Sequence, residues 1–289
     1  MVNYSDEDVG NIVLLEHVNV QIPDQTLATA FYIVGMGFTR DPYLNIGLGN
    51  MWANVGEQQF HLPTRPPQVI PGHIGVVVPD LEALQTRLAS ITATLAGTKF
   101  GWSPEGNHIA VTCPWGNRFQ CYAAGSEFGD MALGIPYVEF LVAPGRAAGI
   151  TRFYDQVMGT PSITESGGQG ILGRVQIGRN QSLIFRETDA HLPDYDGHHI
   201  AIYVANFSRP YAFMKDRGLV SEDVRNHQFR FKEIIDPEND NCVFLVEHEV
   251  RSLRHPMFRR FLVNRDPGQS QRQYRRERDA LIPYSAADG

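Results

Sequence analysis

The sequence has little cysteine: three residues, Cys113, Cys121 and Cys242, in a chain of 289. So few, and an odd number, excludes a disulfide framework and predicts a reducing, cytoplasmic setting. Lysine is scarcer still in proportion. Of 25 basic residues only Lys99, Lys215 and Lys232 are lysine, and arginine favours fixed, bidentate contacts over general solvation. No apolar run approaches the roughly 18 residues that a membrane-spanning helix needs. The first ten residues carry Asp6, Glu7 and Asp8 and no base, unlike a secretory or transit segment. Apolar residues themselves are not lacking. At 43% hydrophobic and 20% charged, the composition excludes a disordered, collagen-like or coiled-coil chain. The length fits one large or two ordinary domains.

The net charge of −7 is unevenly spread. Residues 252–289 hold eight arginines against four acids, about +4, which leaves about −11 on the rest. An acidic globular body argues against nucleic acid as the partner of this basic arm. The arm is expected to wrap onto the body or onto a second subunit.

The chain repeats itself. Glu16-His17-Val-Asn-Val-Gln-Ile-Pro23-Asp24 matches Gly72-His73-Ile-Gly-Val-Val-Val-Pro79-Asp80 at an offset of 56. His17, Phe31-Tyr32 and Gly37 match Glu139, Phe153-Tyr154 and Gly159 at an offset of 122. A fourth copy opens at Gly197-His198-His199-Ile-Ala-Ile-Tyr-Val. Each copy begins with alternating apolar residues, which read as a strand. In the first two, Pro-Asp follows and supplies a helix cap. The predicted helices are 25–34, 81–95, 146–158 and 207–217, with Gly35, Gly97, Gly159 and Gly218 at or after their ends. Short strands follow, such as 51–55, 59–62, 108–113 and 118–122. The plan is an α+β fold of four βαβββ modules. Successive modules are expected to pair into an N-terminal domain at 12–124 and a C-terminal domain at 134–251, followed by the arm at 252–289.

This order of motifs resembles the vicinal oxygen chelate superfamily, which includes glyoxalase I, extradiol dioxygenases, epimerases and resistance proteins. Besides the two histidine strands above, the carriers are Gln58-Gln59-Phe-His61-Leu-Pro63 and Cys113-Pro-Trp-Gly-Asn117-Arg-Phe-Gln120. In the second half they are Pro136-Tyr-Val-Glu139-Phe, Gly197-His198-His199 and Phe244-Leu-Val-Glu247. The resemblance covers roughly residues 12–250. It implies two cup-shaped domains, each able to hold a divalent metal (Fe, Mn, Ni, Co or Zn) on its first and last strands. One implied ligand set is Glu139, His199 and Glu247, with Glu249 as a rival ligand or general base. A glutamate inside an apolar stretch such as 137–142 is costly unless paired, so metal ligation and a salt bridge to Arg186 or Arg251 are both open. The other implied set is His17, His61, His73 and Gln120. Gln181 falls where extradiol enzymes carry a catalytic histidine, which counts against ring cleavage. His198, Tyr195 and Arg251 are candidate substrate-binding residues. The resemblance implies a small oxygenated substrate and metal-assisted proton transfer of the lyase or isomerase kind. An Fe²⁺ ring-cleaving dioxygenase and a non-catalytic binding or resistance protein are the alternatives. A homodimer is expected; nucleic-acid and membrane partners are not.

Overall fold

A computed structural model of the chain describes residues 8–44, 47–168, 170–224, 227–275 and 278. The first module contains β1 (Ile12–Asn19), α1 (Gln25–Ala28, continued by a π-helical turn over Thr29–Gly35), β2 (Thr39–Arg40), β3 (Asn50–Val55) and β4 (Gln58–Pro63). The second has β5 (Gly72–Val78), α2 (Leu81–Ile91), β6 (Gly101–Glu105), β7 (His108–Thr112) and β8 (Arg118–Ala123). The third has β9 (Tyr137–Val142), α3 (Ala147–Phe153, with a π-helical turn over Tyr154–Met158), β10 (Ser162–Gly167), β11 (Gly170–Gln176) and β12 (Ser182–Glu187). The fourth has β13 (His199–Val204), α4 (Ser208–Asp216), β14 (Val220–Val224), β15 (Gln228–Ile235) and β16 (Cys242–Ser252). The βαβββ plan therefore holds four times.

Local chemistry explains the helix starts. Asp24 Oδ1 accepts from Thr26 N at 2.7 Å and Leu27 N at 3.0 Å. Asp80 Oδ1 does the same for Glu82 N and Ala83 N. Both aspartates satisfy amides that a first helical turn leaves without intrahelical partners. Gly159 and Gly218 take the positive φ expected at a helix end, 71° and 68°. Gly35 does not. It lies within the π-helical turn, where a Cβ would fall 2.3 Å from Ile91 Cδ1 at the end of α2. The left-handed residue is Gly37, two positions on.

The strands form two eight-stranded mixed sheets, ordered β14-β15-β16-β13-β1-β4-β3-β2 and β10-β11-β12-β9-β5-β8-β7-β6. Modules one and four thus supply the first sheet and modules two and three the second. In the sheets, then, the pairing is not between successive modules. The first strands of all four modules are near-equivalent apolar strands, so nothing in the repeat itself selects a partner. Within a module the first strand lies parallel to the last, as in β13–β16, β9–β12 and β5–β8, and the other pairs run antiparallel.

By compactness the chain divides into residues 1–18 with 137–260, and 19–136 with 261–289. The expected division at 12–124 and 134–251 therefore differs at both ends. In the first unit β13 is buried along its whole length. Phe153, Tyr154, Phe185, Phe229 and Phe231 are fully buried and touch one another ring to ring. His248 belongs to that core. Its ring stacks on Phe231 at 4.4 Å, Nε2 is 2.6 Å from the Tyr154 hydroxyl, and Nδ1 is 2.9 Å from the Val246 carbonyl. Burial pushes His248 down to about 4, against the hydrogen bond to Val246.

In the second unit Phe31, Tyr32, Phe60 and Phe119 make an aromatic cluster of edge-to-face and tilted pairs. The arm closes onto β2 and β3 of this unit. Asn54 Nδ2 donates to Val263 O at 2.9 Å, Asn264 exchanges two hydrogen bonds with the Gly56 backbone, and Thr39 Oγ1 bonds to both ends of Arg265. This part of the arm wraps onto the body, as one of the two expectations had it. Among the described residues no helix is long and apolar enough to cross a membrane.

Candidate metal centre

Strand registry identifies one position repeated in all four modules. In module four His199 starts the first strand, and Ala201, two residues on, lies opposite Glu249 of the last strand. In module three the pair is Glu139 with Arg186, which lies opposite Leu141. In module two it is His73 with Gln120, opposite Gly75. In module one it is His17 with His61, whose carbonyl accepts from Val20 N at 3.1 Å and so faces Asn19. Alternation along a strand puts each such pair on one face of its sheet. By registry Glu249, rather than the expected ligand Glu247, is the ladder counterpart of these positions. Glu247 sits one pleat away, opposite His199 itself.

The sheet order regroups the expected ligand sets. His17, His61, His199 and Glu249 lie on strands of the first sheet. His73, Gln120, Glu139 and Arg186 lie on strands of the second. The quartet His17, His61, His73 and Gln120 is therefore divided between the sheets, and Glu139 is on a different sheet from His199 and Glu247. Glu139 is a salt-bridge residue: Arg186 Nε and Nη2 both bond to its Oε2, at 3.0 and 2.9 Å. Gln120 Oε1 accepts the Tyr122 hydroxyl at 2.6 Å. His61 stacks face to face on Trp52 at 3.9 Å, with Nε2 2.7 Å from Asn50 Nδ2.

Within the first unit, His17 and His199 meet edge to face, with ring centroids 5.6 Å apart and ligand nitrogens within 4.8 Å of each other. Both are buried. Glu16 Oε2 lies 2.7 Å from His17 Nδ1. On the other side, His199 Nε2 is 3.9 Å from Glu249 Oε2, and Nδ1 is 3.6 Å from Glu247 Oε1.

Two arginines tie the acids together. Arg251 Nη1 is 2.6 Å from Glu16 Oε2, and its Nη2 contacts Glu249. Arg230 donates to Glu247 Oε1 at 2.6 Å and also contacts Glu249. Burial alone would raise the Glu16 carboxyl. The His17 hydrogen bond and charge, with the charge of Arg251, outweigh it and hold Glu16 below the usual carboxylate range. For Arg251, burial works against the charge, but Glu16 and Glu249 override it and hold the guanidinium protonated. This residue, expected to bind substrate, is an internal brace. Buried ions of this kind persist only when paired.

Three further candidates also have internal roles. Gln181 is buried, and its amide clamps the backbone of Leu15, accepting from N at 3.0 Å and donating to O at 3.4 Å. The Tyr195 hydroxyl donates to His198 O at 2.7 Å and accepts from Glu247 N at 3.0 Å, so Tyr195 sutures the entry to β13 against β16. His198 is buried with Nδ1 2.7 Å from Asp196, on the opposite side of the chain from His199. Sequence reasoning missed Glu16 and Arg230 as members of the cluster. Each leaves the same signal: a charged residue at an alternating position among apolar ones, in Leu15-Glu16-His17-Val18 and Phe229-Arg230-Phe231.

The donor types fit a divalent metal. Two imidazoles and a carboxylate suit borderline ions from Mn²⁺ to Zn²⁺, and a carboxylate on the far nitrogen of a ligating histidine is a common outer-shell support.

No family model matches the sequence, and no curated protein matches it. Solved structures do. Glyoxalase I from Zea mays superposes with a TM-score of 0.58 at 11% identity, over 87% of this chain and 95% of that one. A Bacillus subtilis protein given a provisional dioxygenase name superposes with a TM-score of 0.53 at 12% identity, over 84% and 86%. At such identities the likeness establishes the fold alone, one that this chain shares with glyoxalase I.

Proposed function

We propose that the chain is a divalent-metal enzyme acting on a small oxygenated molecule that chelates through adjacent oxygens, with the metal held by His17, His199 and Glu249. The observation that carries this reading is the pairing of two buried imidazoles, His17 braced through Nδ1 by Glu16 and His199 flanked by Glu249. When bound, a metal of this kind supplies Lewis-acid polarisation of a substrate oxygen. The chain supplies the rest. Glu16 fixes the ring and tautomer of His17, and Arg251 holds Glu16 and Glu249 in place. Glu247, the most open of the three acids at 17% side-chain exposure, carries a proton at Oε1 to and from the carbon beside the polarised group. Proton transfer of the glyoxalase or epimerase kind is favoured over ring cleavage. The Gln181 amide is committed to the Leu15 backbone, so the position that bears an acid–base histidine in extradiol enzymes offers none here.

The test is solvent-deuterium incorporation into a panel of α-hydroxyketones by the Mn²⁺-, Co²⁺- or Zn²⁺-loaded protein. Incorporation at the carbon next to the carbonyl, lost in Glu247→Gln, is expected. Oxygen uptake with a catechol panel, unaffected by Glu247→Gln, would replace this reading with the dioxygenase one.

A further inference from the structure

Arg230 occupies the position that a cation would take beside Glu249. It stands directly opposite Glu249 in the β15–β16 ladder. Its guanidinium spans Glu247 and Glu249, the two acids nearest the His199 nitrogens. A third acid, Glu222 on β14, lies on the outer side of the same guanidinium, with Oε2 3.3 Å from Nε and a side chain 59% exposed. Arg230 therefore sits between two largely enclosed carboxylates, Glu249 buried and Glu247 half-buried, and a solvated one.

Glu16, Glu247 and Glu249 against Arg230 and Arg251 leave the cluster one negative with neutral imidazoles. Adding a divalent ion with both arginines in place would leave it one positive. Moving Arg230 out to Glu222 brings the metal-bound cluster to neutrality. Uncompensated charge in a buried cluster is expensive, so the neutral arrangement is the favoured one.

We propose that Arg230 is a built-in counter-cation that competes with the metal for Glu249, and that metal binding moves it onto Glu222. Resting on the metal reading above, this assigns the control of metal affinity to a residue that is not a ligand. The competition offsets most of the acids' charge when no metal is bound. It also raises the metal concentration at which the site fills.

The test uses the full-length protein and Co²⁺. Affinity is read by competition with a chelating dye, and ligation by the Co²⁺ absorption bands. Arg230→Met is expected to bind Co²⁺ at least tenfold more tightly than the wild type. Glu222→Gln, a change at an exposed side chain that leaves the buried network intact, is expected to bind several-fold more weakly, because Arg230 loses its alternative partner. Arg186→Met, which alters the Glu139 pair, is expected to leave the Co²⁺ affinity unchanged. Equal affinities for the wild type, Arg230→Met and Glu222→Gln would overturn the inference while leaving the metal site standing. No Co²⁺ binding by the wild type or by either variant would overturn both. Should Arg230→Met fail to fold, unaltered affinity in Glu222→Gln is enough to sink the proposal.

Discussion

Modules three and four of the same compact unit place different residues at the same ladder position. Module three has Glu139 and Arg186, module four His199 and Glu249. In the first, two guanidinium nitrogens bond to one carboxylate oxygen, and the acid is neutralised from within. In the second, the corresponding imidazole lies beyond hydrogen-bonding distance of its carboxylate and faces a second imidazole. The backbone presents both pairs alike. Chemistry is thus set by which side chains occupy the repeated position: arginine pairs with the acid in both modules, but in module four an imidazole lies beside the acid as well.

The largest effect expected from breaking this contrast is on metal uptake. His199→Ala should weaken Co²⁺ binding more than a hundredfold by dye competition, and Glu139→Gln should leave it unaltered. Next comes the brace. Arg251→Met should cost about 3–5 kcal/mol in urea unfolding, because it leaves Glu16 and Glu249 buried without that partner.

The third effect concerns His248, which faces away from the acids. Its folded value of about 4 lies below the ordinary 6.5, so below pH 6.5 the unfolded chain binds the proton first. Stability should fall by up to about 3 kcal/mol as pH drops from 6.5 towards 4, with no further loss from this group below that. In His248→Phe the slope of melting temperature against pH over that window should be shallower; an unchanged slope would show that other groups cause it. A smaller effect is expected from Glu16→Gln, which should weaken Co²⁺ binding about 10- to 100-fold by loosening the support of His17. The smallest is Gln181→Leu, expected to cost about 1–3 kcal/mol of stability through the orphaned Leu15 amide, with metal affinity unchanged.

Much of this architecture is written locally. Pro-Asp turns, alternating apolar runs and glycines after helices placed the modules to within one or two residues at most strand ends. Asp24 and Asp80 cap helices because capping depends on residues two and three positions away. Pairing is a non-local choice between similar strands. The motif around His17 resembles that around His73, yet their strands lie in different sheets. The choice of Glu249 over Glu247 likewise depends on registry across β13 and β16, which the length of the turn at 237–241 obscures in the sequence. Arg230 was illegible for the same reason. Its significance comes from standing opposite Glu249, a residue nineteen positions away.

The central claim is that His17, His199 and Glu249, rather than Glu139, hold a divalent ion. Equilibrium dialysis of the purified protein against saturating Co²⁺, with metal counted per chain, tests it most directly. Close to one His199-dependent ion per chain is expected, present in the wild type and in Glu139→Gln and absent in the His17→Ala, His199→Ala double variant. An ion that survives the double variant but is lost in Glu139→Gln, or no ion in the wild type, would contradict it.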